Sequence, residues 1–126
     1  MTRSVFFFPV VEAQQRETCW APSVDVFKTR DGWLLRFELA GVRLEDVTLR
    51  VSRREITVSG VRRDYMLEEG CSFYSMEISY NRFERVIELP EDLDGARVSL
   101  EYRDGLLLVR ISNSPAREGG ERKETK

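Results

Sequence analysis

Between residues 22 and 112 the apolar side chains recur with a period of two, the spacing that puts one face of an extended strand against a core. Trp33, Leu35, Phe37 and Leu39 share one face, and Val47, Leu49 and Val51 share another. Ile56 and Val58, then Val98, Leu100 and Tyr102, then Leu107, Val109 and Ile111 continue the pattern. Turn residues fall between these runs: Asp31-Gly32, Ala40-Gly41, Asp94-Gly95 and Asp104-Gly105 all accept positive φ at little cost. Seven or eight short strands at this spacing predict an all-β chain folded as an antiparallel sandwich.

The pattern stops at both ends. A polar patch from Glu12 to Thr18 separates an aromatic N-terminal run, Phe6-Phe7-Phe8-Pro9-Val10-Val11, from the strand-patterned sequence that begins at Trp20. After Ser112 no apolar residue larger than alanine occurs, so residues 113–126 lack the surface to offset their ordering entropy and are expected to be a disordered extension. The expected division is an arm at 1–20, one sandwich domain at 21–112 and an extension at 113–126. Within the domain, Asp64 to Asn81 breaks the alternation while carrying Met66, Leu67, Phe73, Tyr74, Met76 and Ile78. A connection that long and that apolar needs somewhere to bury its side chains.

Composition narrows the chemistry. The 126 residues suit one domain of about 100 residues with short tails. Charged residues make up 33% of the chain yet nearly cancel to a formal net charge of -2, which leaves no basic field for nucleic acid or anionic lipid. Histidine is absent, and with it the most used general base, metal ligand and near-neutral switch. Cys19 and Cys71 stand far apart and in no CxxC spacing, so they read as free thiols in a reducing cytoplasm, a disulfide being the alternative. The apolar run at the N-terminus is interrupted by Pro9 and stopped by Glu12, which reads as an unexported chain, and no segment approaches the roughly 20 apolar residues of a membrane span. Glu68-Glu69 and Glu91-Asp92 are adjacent in sequence, so an extended chain points each pair to opposite faces; they read as solubility and turn capping, not as a catalytic pair. Neither an enzyme nor a cofactor is expected.

One further pattern is specific. Leu89-Pro90 is followed fifteen residues on by Gly105-Leu106-Leu107. Ahead of it stand Ser23 to Phe27, Trp33 to Leu39 leading into Ala40-Gly41-Val42, Asp46 to Val51, Ile56 to Gly60, and Phe83-Glu84-Arg85. In that order these segments resemble the α-crystallin domain of the small heat-shock proteins over residues 22–112. The resemblance implies an immunoglobulin-like sandwich with flexible arms, and an ATP-independent chaperone that holds unfolding proteins and keeps them from aggregating. Its partners would be non-native client proteins, other copies of itself as a homodimer or small oligomer, and, as an alternative, a second small heat-shock protein with which it co-assembles. A client adaptor resembling the CS-domain co-chaperones is the competing reading, which the long excursion argues against.

The resemblance also assigns residues. Phe6, Phe7, Phe8, Val10 and Val11 would bind clients or pack in an assembly interface. Cys71 to Glu77 would be a strand exchanged with the partner's sheet edge, placing Cys71, Phe73, Tyr74, Met76 and Glu77 in the dimer interface, a loop packed on its own domain being the alternative. Arg85, on an otherwise apolar face, needs a carboxylate and would hold the dimer by ion pairing. Asn81 stands where relatives usually have glycine, and asparagine tolerates the left-handed region. Val47, Leu49, Val51, Val98 and Leu100 would line an edge groove that relatives fill with an I-x-I motif from a C-terminal extension. No such motif follows Ile111, Leu100 replaces a small alanine, and Phe6 and Phe8, or Phe8 and Val10, have the spacing to occupy the groove instead.

Overall fold

The computed structural model describes residues 19–65 and 68–113. These residues form seven strands: β1 (Val24–Lys28), β2 (Gly32–Glu38), β3 (Val47–Ser52), β4 (Glu55–Arg62), β5 (Asn81–Glu88), β6 (Arg97–Arg103) and β7 (Leu106–Ser112), with one 3₁₀ turn at Leu44–Asp46. Every strand pairing is antiparallel, in a four-stranded sheet ordered β1-β2-β7-β6 and a three-stranded sheet ordered β3-β4-β5. The all-β antiparallel sandwich expected from the alternation is the fold. The arm residues Phe6, Phe7, Phe8, Val10 and Val11, the extension beyond Asn113, and Met66 and Leu67 lie outside the described residues.

Register explains why the alternation was readable. β2 pairs with β7 from Gly32↔Ser112 to Glu38↔Leu106, so Leu35 sits opposite Val109 and Phe37 opposite Leu107, all fully buried. The facing sheet contributes Ile56, Val58 and Phe83. Leu39, Val42, Leu89 and Leu93 close the core from the connections. Each such side chain contributes about 1.5–3 kcal/mol on burial, so this two-sided layer is the main source of stability.

Hydrogen bonds fix how the two sheets are stacked. Trp20, just ahead of β1, forms a parallel bridge to Phe83 of β5, donating its N–H to Arg82 O and accepting from Glu84 N–H. That sets β5 beside β1. The turn between β3 and β4 meets the segment leading into β6: Leu93 N–H donates to Arg53 O at 2.7 Å, and Arg53 N–H donates to the Asp94 carboxylate. That sets β3 beside β6.

Two turns repay comparison with expectation. At Asp104-Gly105 both residues have positive φ, 54° and 81°, as a two-residue type I′ hairpin requires, and the β6–β7 register is locked by it. Gly32, by contrast, is not in the left-handed region. It opens β2 so close to β7 that a Cβ there would lie 1.9 Å from Ile111 O, so glycine is needed for lack of a side chain and not for its φ. Among the described residues no helix is long and apolar enough to cross a membrane.

Candidate interaction surfaces

Among the described residues the segment between β4 and β5 is the least buried. Residues 68–79 are all exposed and without strand pairing. Phe73 is 74% exposed, Tyr74 fully so, Met76 48% and Ile78 61%. Within a single chain these apolar residues are not packed on their own domain. Cys71 and Glu77 are exposed as well, and the strand expected over Cys71–Glu77 is irregular, pairing with no strand among the described residues. Gly70, with φ 87°, turns the backbone just before it, and Cys71 N–H closes that turn on Glu68 O.

A second unsatisfied surface is β1. Among the described residues it pairs only with β2, so its other edge has no strand partner there, and Val26 and Phe27 are each 40% exposed. Register places Val24 and Val26 opposite Phe37 and Leu35, on the inner side, and Phe27 opposite Leu34 on the outer side. Arg36 covers Phe27, its guanidinium 5.0 Å from the ring centre, and pairs with Asp25 at 2.6 Å.

Arg85 points inward from β5, opposite Val58, and is half-buried. The expected carboxylate is not among the described residues of the chain. Its Nη1 donates instead to the carbonyl of Pro22 at 3.1 Å, because the stacking of β5 beside β1 brings that carbonyl within reach. Asn81 has φ 74°, the left-handed geometry expected for it.

Val47, Leu49 and Val51 lie on β3, and Val98 and Leu100 on β6, the two edge strands that the stacking puts on one side of the sandwich. All five are half-buried and packed against the core from its rim. Tyr102, next on the same face of β6, donates its hydroxyl to Leu39 O at 2.7 Å and so is fixed across the end of that rim.

Three polar constellations escape the sequence pattern. Arg63 makes a bidentate pair with Asp46, both contacts at 2.8 Å. The hydrogen bonds and charge of Arg63 hold the Asp46 carboxyl below its ordinary range, against a smaller opposing effect of burial, and the carboxylate in turn raises Arg63. Glu91, expected to serve solubility or turn capping, accepts from the Trp33 indole and from the Asn113 amide, both at 3.1 Å. Its neighbour Asp92 does cap a turn, accepting from Asp94 N–H. Arg62, at the end of β4, lies over the Trp20 ring and donates to two backbone carbonyls, Ser79 O and Ala40 O. A lone arginine at a strand end gives no periodic signal, and a neighbouring arginine makes it look like a solvated rim. Cys19 and Cys71 are free and exposed.

Known proteins are similar to this chain in sequence and fold. The Hsp20/alpha crystallin family matches residues 25–125. Spore protein SP21 of Stigmatella aurantiaca is 28% identical over 102 residues, covering 81% of this chain and 60% of that protein. The chain thus spans about three fifths of the length of that relative. Heat shock protein 16 of Schizosaccharomyces pombe is 32% identical over 94 residues, covering 72% of this chain and 65% of that protein. The solved structure of heat shock protein 16.0 from Schizosaccharomyces pombe superposes with a TM-score of 0.66 at 28% identity, covering 84% of this chain and 98% of that one.

Proposed function

The chain belongs to the Hsp20/alpha crystallin family, and from that membership we propose that it is a non-enzymatic, ATP-independent chaperone that associates with itself and holds unfolding proteins. The observation that carries the reading is the presence, among the described residues, of two unsatisfied surfaces: an exposed apolar segment with no strand partner, and a β1 edge with none either. Chemically they complement each other. Extended chain at residues 73–78 puts Tyr74, Met76 and Ile78 on one side and Phe73, Ser75 and Glu77 on the other. Paired to β1 of a second copy, the first set continues the inner face past Val24 and Val26, while Phe73 joins Phe27 outside. Such pairing satisfies backbone groups that otherwise invite uncontrolled edge-to-edge association.

In the proposed dimer Cys71 stands just ahead of that strand and Glu77 lies within it, on the side of Phe73. Arg85, near the same edge, meets a carboxylate of the second copy there. Capture of clients needs apolar surface that is hidden at rest and exposed under stress, since transfer of that surface from water drives binding. Phe6, Phe7, Phe8, Val10 and Val11 supply it. The rim formed by Val47, Leu49, Val51, Val98 and Leu100 accepts an apolar segment with i, i+2 spacing, and Phe6 and Phe8, or Phe8 and Val10, fit that requirement. The reading is tested by multi-angle light scattering and a nucleotide-free aggregation assay on the full chain. A dimer or larger species that suppresses scattering of a heat-unfolded client supports it; a folded species that leaves aggregation unchanged contradicts it.

A further inference from the structure

We propose that Arg62 is a clasp that joins the end of the 63–80 excursion to Trp20 ahead of β1, so that these two places in the chain are set by one side chain. Four contacts converge on it. Its guanidinium carbon lies 4.4 Å from the centre of the Trp20 ring, well inside the range of a cation over an indole. The same group lies 5.9 Å from the ring of Tyr80, the last residue of the excursion. Nε donates to Ser79 O at 3.1 Å, and Nη1 donates to Ala40 O at 3.0 Å in the connection between β2 and β3. The stem lies along that connection too, with Cδ 3.8 Å from where a Cβ on Gly41 would be.

Arg62 is itself the last residue of β4 and therefore the root of the excursion's outgoing limb, while Ser79 and Tyr80 form its returning limb. One guanidinium thus holds both limbs together at the sheet. Trp20, under the same group, ties the start of the described chain to the sandwich: its ring packs on Phe83 at 5.2 Å and its indole N–H donates to Asn81 O. The planar fork of arginine suits this place because it stacks on one ring while donating in two directions, which the point charge of lysine cannot do. None of the four partners is a carboxylate, so the group acts by orientation and not by neutralising a charge.

The consequence is a coupling. Loosening Trp20 frees a face of Arg62, and loosening the excursion removes its carbonyl partner, so movement of either segment weakens the hold on the other. The consequence for self-association rests on the dimer reading above; the clasp itself does not.

Amide hydrogen exchange on the full chain tests it, comparing the parent with Arg62→Met, which keeps the stem, and Arg62→Lys, which keeps the charge. The Trp20 N–H bonded to Arg82 O and the Glu84 N–H bonded to Trp20 O report the Trp20 end of the clasp. The Asn113 N–H bonded to Asp31 O and the β6–β7 ladder are remote controls. In both variants the Trp20 and Glu84 amides are expected to exchange about tenfold faster or more, with the controls unchanged, as befits a local opening. Uniform acceleration at all sites, no change at any, or a lysine variant indistinguishable from the parent would each overturn the proposal. Sedimentation of the same samples separates the two claims: a monomeric parent refutes the dimer, while the exchange pattern still judges the clasp.

Discussion

Gly32 shows how a single position can be read correctly in place and wrongly in cause. Asp31-Gly32 marks a turn in the sequence, and the turn is there, but the glycine is required by the Ile111 carbonyl that a Cβ would strike at 1.9 Å. Replacing Gly32 with alanine is therefore expected to cost on the order of 1–3 kcal/mol as the β2–β7 ladder shifts to make room, measured by chemical denaturation. Asn81 is the reverse case: its left-handed φ of 74° follows from the amino acid's own tolerance, so Asn81→Gly should be close to neutral and Asn81→Val destabilising. At Asp46 the prediction concerns pH. The carboxyl is held below its ordinary value of 3.8 by Arg63, so as pH falls the folded state binds its proton later than the unfolded state does. The stabilisation is complete above that value and fades as pH falls through the lower folded pKa. The stability difference between the parent and Asp46→Asn should thus be constant near neutrality and shrink below pH 3.8.

At the scale of elements, the strands were legible because their inner faces are nearly pure in apolar residues. The alternation through Trp33, Leu35, Phe37 and Leu39 ends in side chains that are fully buried from Leu35 onward. Phe37→Ala should cost about 3–5 kcal/mol for that reason, as seen in a thermal or denaturant midpoint. The excursion was legible only as a surplus of apolar residues without a place to go. Period-two reasoning could not say where they go, because within one chain Tyr74, Met76 and Ile78 touch no core. What pattern missed altogether are the polar ties at the ends of elements. Arg62, Glu91 and the Asp46–Arg63 pair act through contacts between residues 17 to 58 positions apart, or through backbone carbonyls, and neither leaves a trace in residue type. The exposure of the excursion yields a discriminating expectation. Changing Tyr74, Met76 and Ile78 together to serine should leave the sandwich's secondary structure intact while weakening self-association by at least about tenfold, since side chains exposed in one chain can be costly only between chains. A loss of fold at constant assembly size would instead mean that the segment packs on its own domain.

For the molecule as a whole, the sandwich is a frame with its weak points at the margins. The core is closed, whereas among the described residues β1 has no strand on its outer edge and the β3 and β6 rims are only half-covered. A protein built this way gains by pairing those margins with other chains, and the proposed chaperone action is the same physics turned toward unfolding proteins. The account's central claim is that aromatic surface at the N-terminal arm, carried on a self-associated sandwich, captures clients without nucleotide. The measurement that tests it most directly is light scattering from a heat-aggregating client, without ATP, in the presence of the full chain and of a variant with Phe6, Phe7 and Phe8 changed to serine, each sized under the same conditions. The account predicts suppression by the parent and its loss in a variant that remains folded and associated. Equal suppression by both would contradict it and move the capture surface to the sandwich itself.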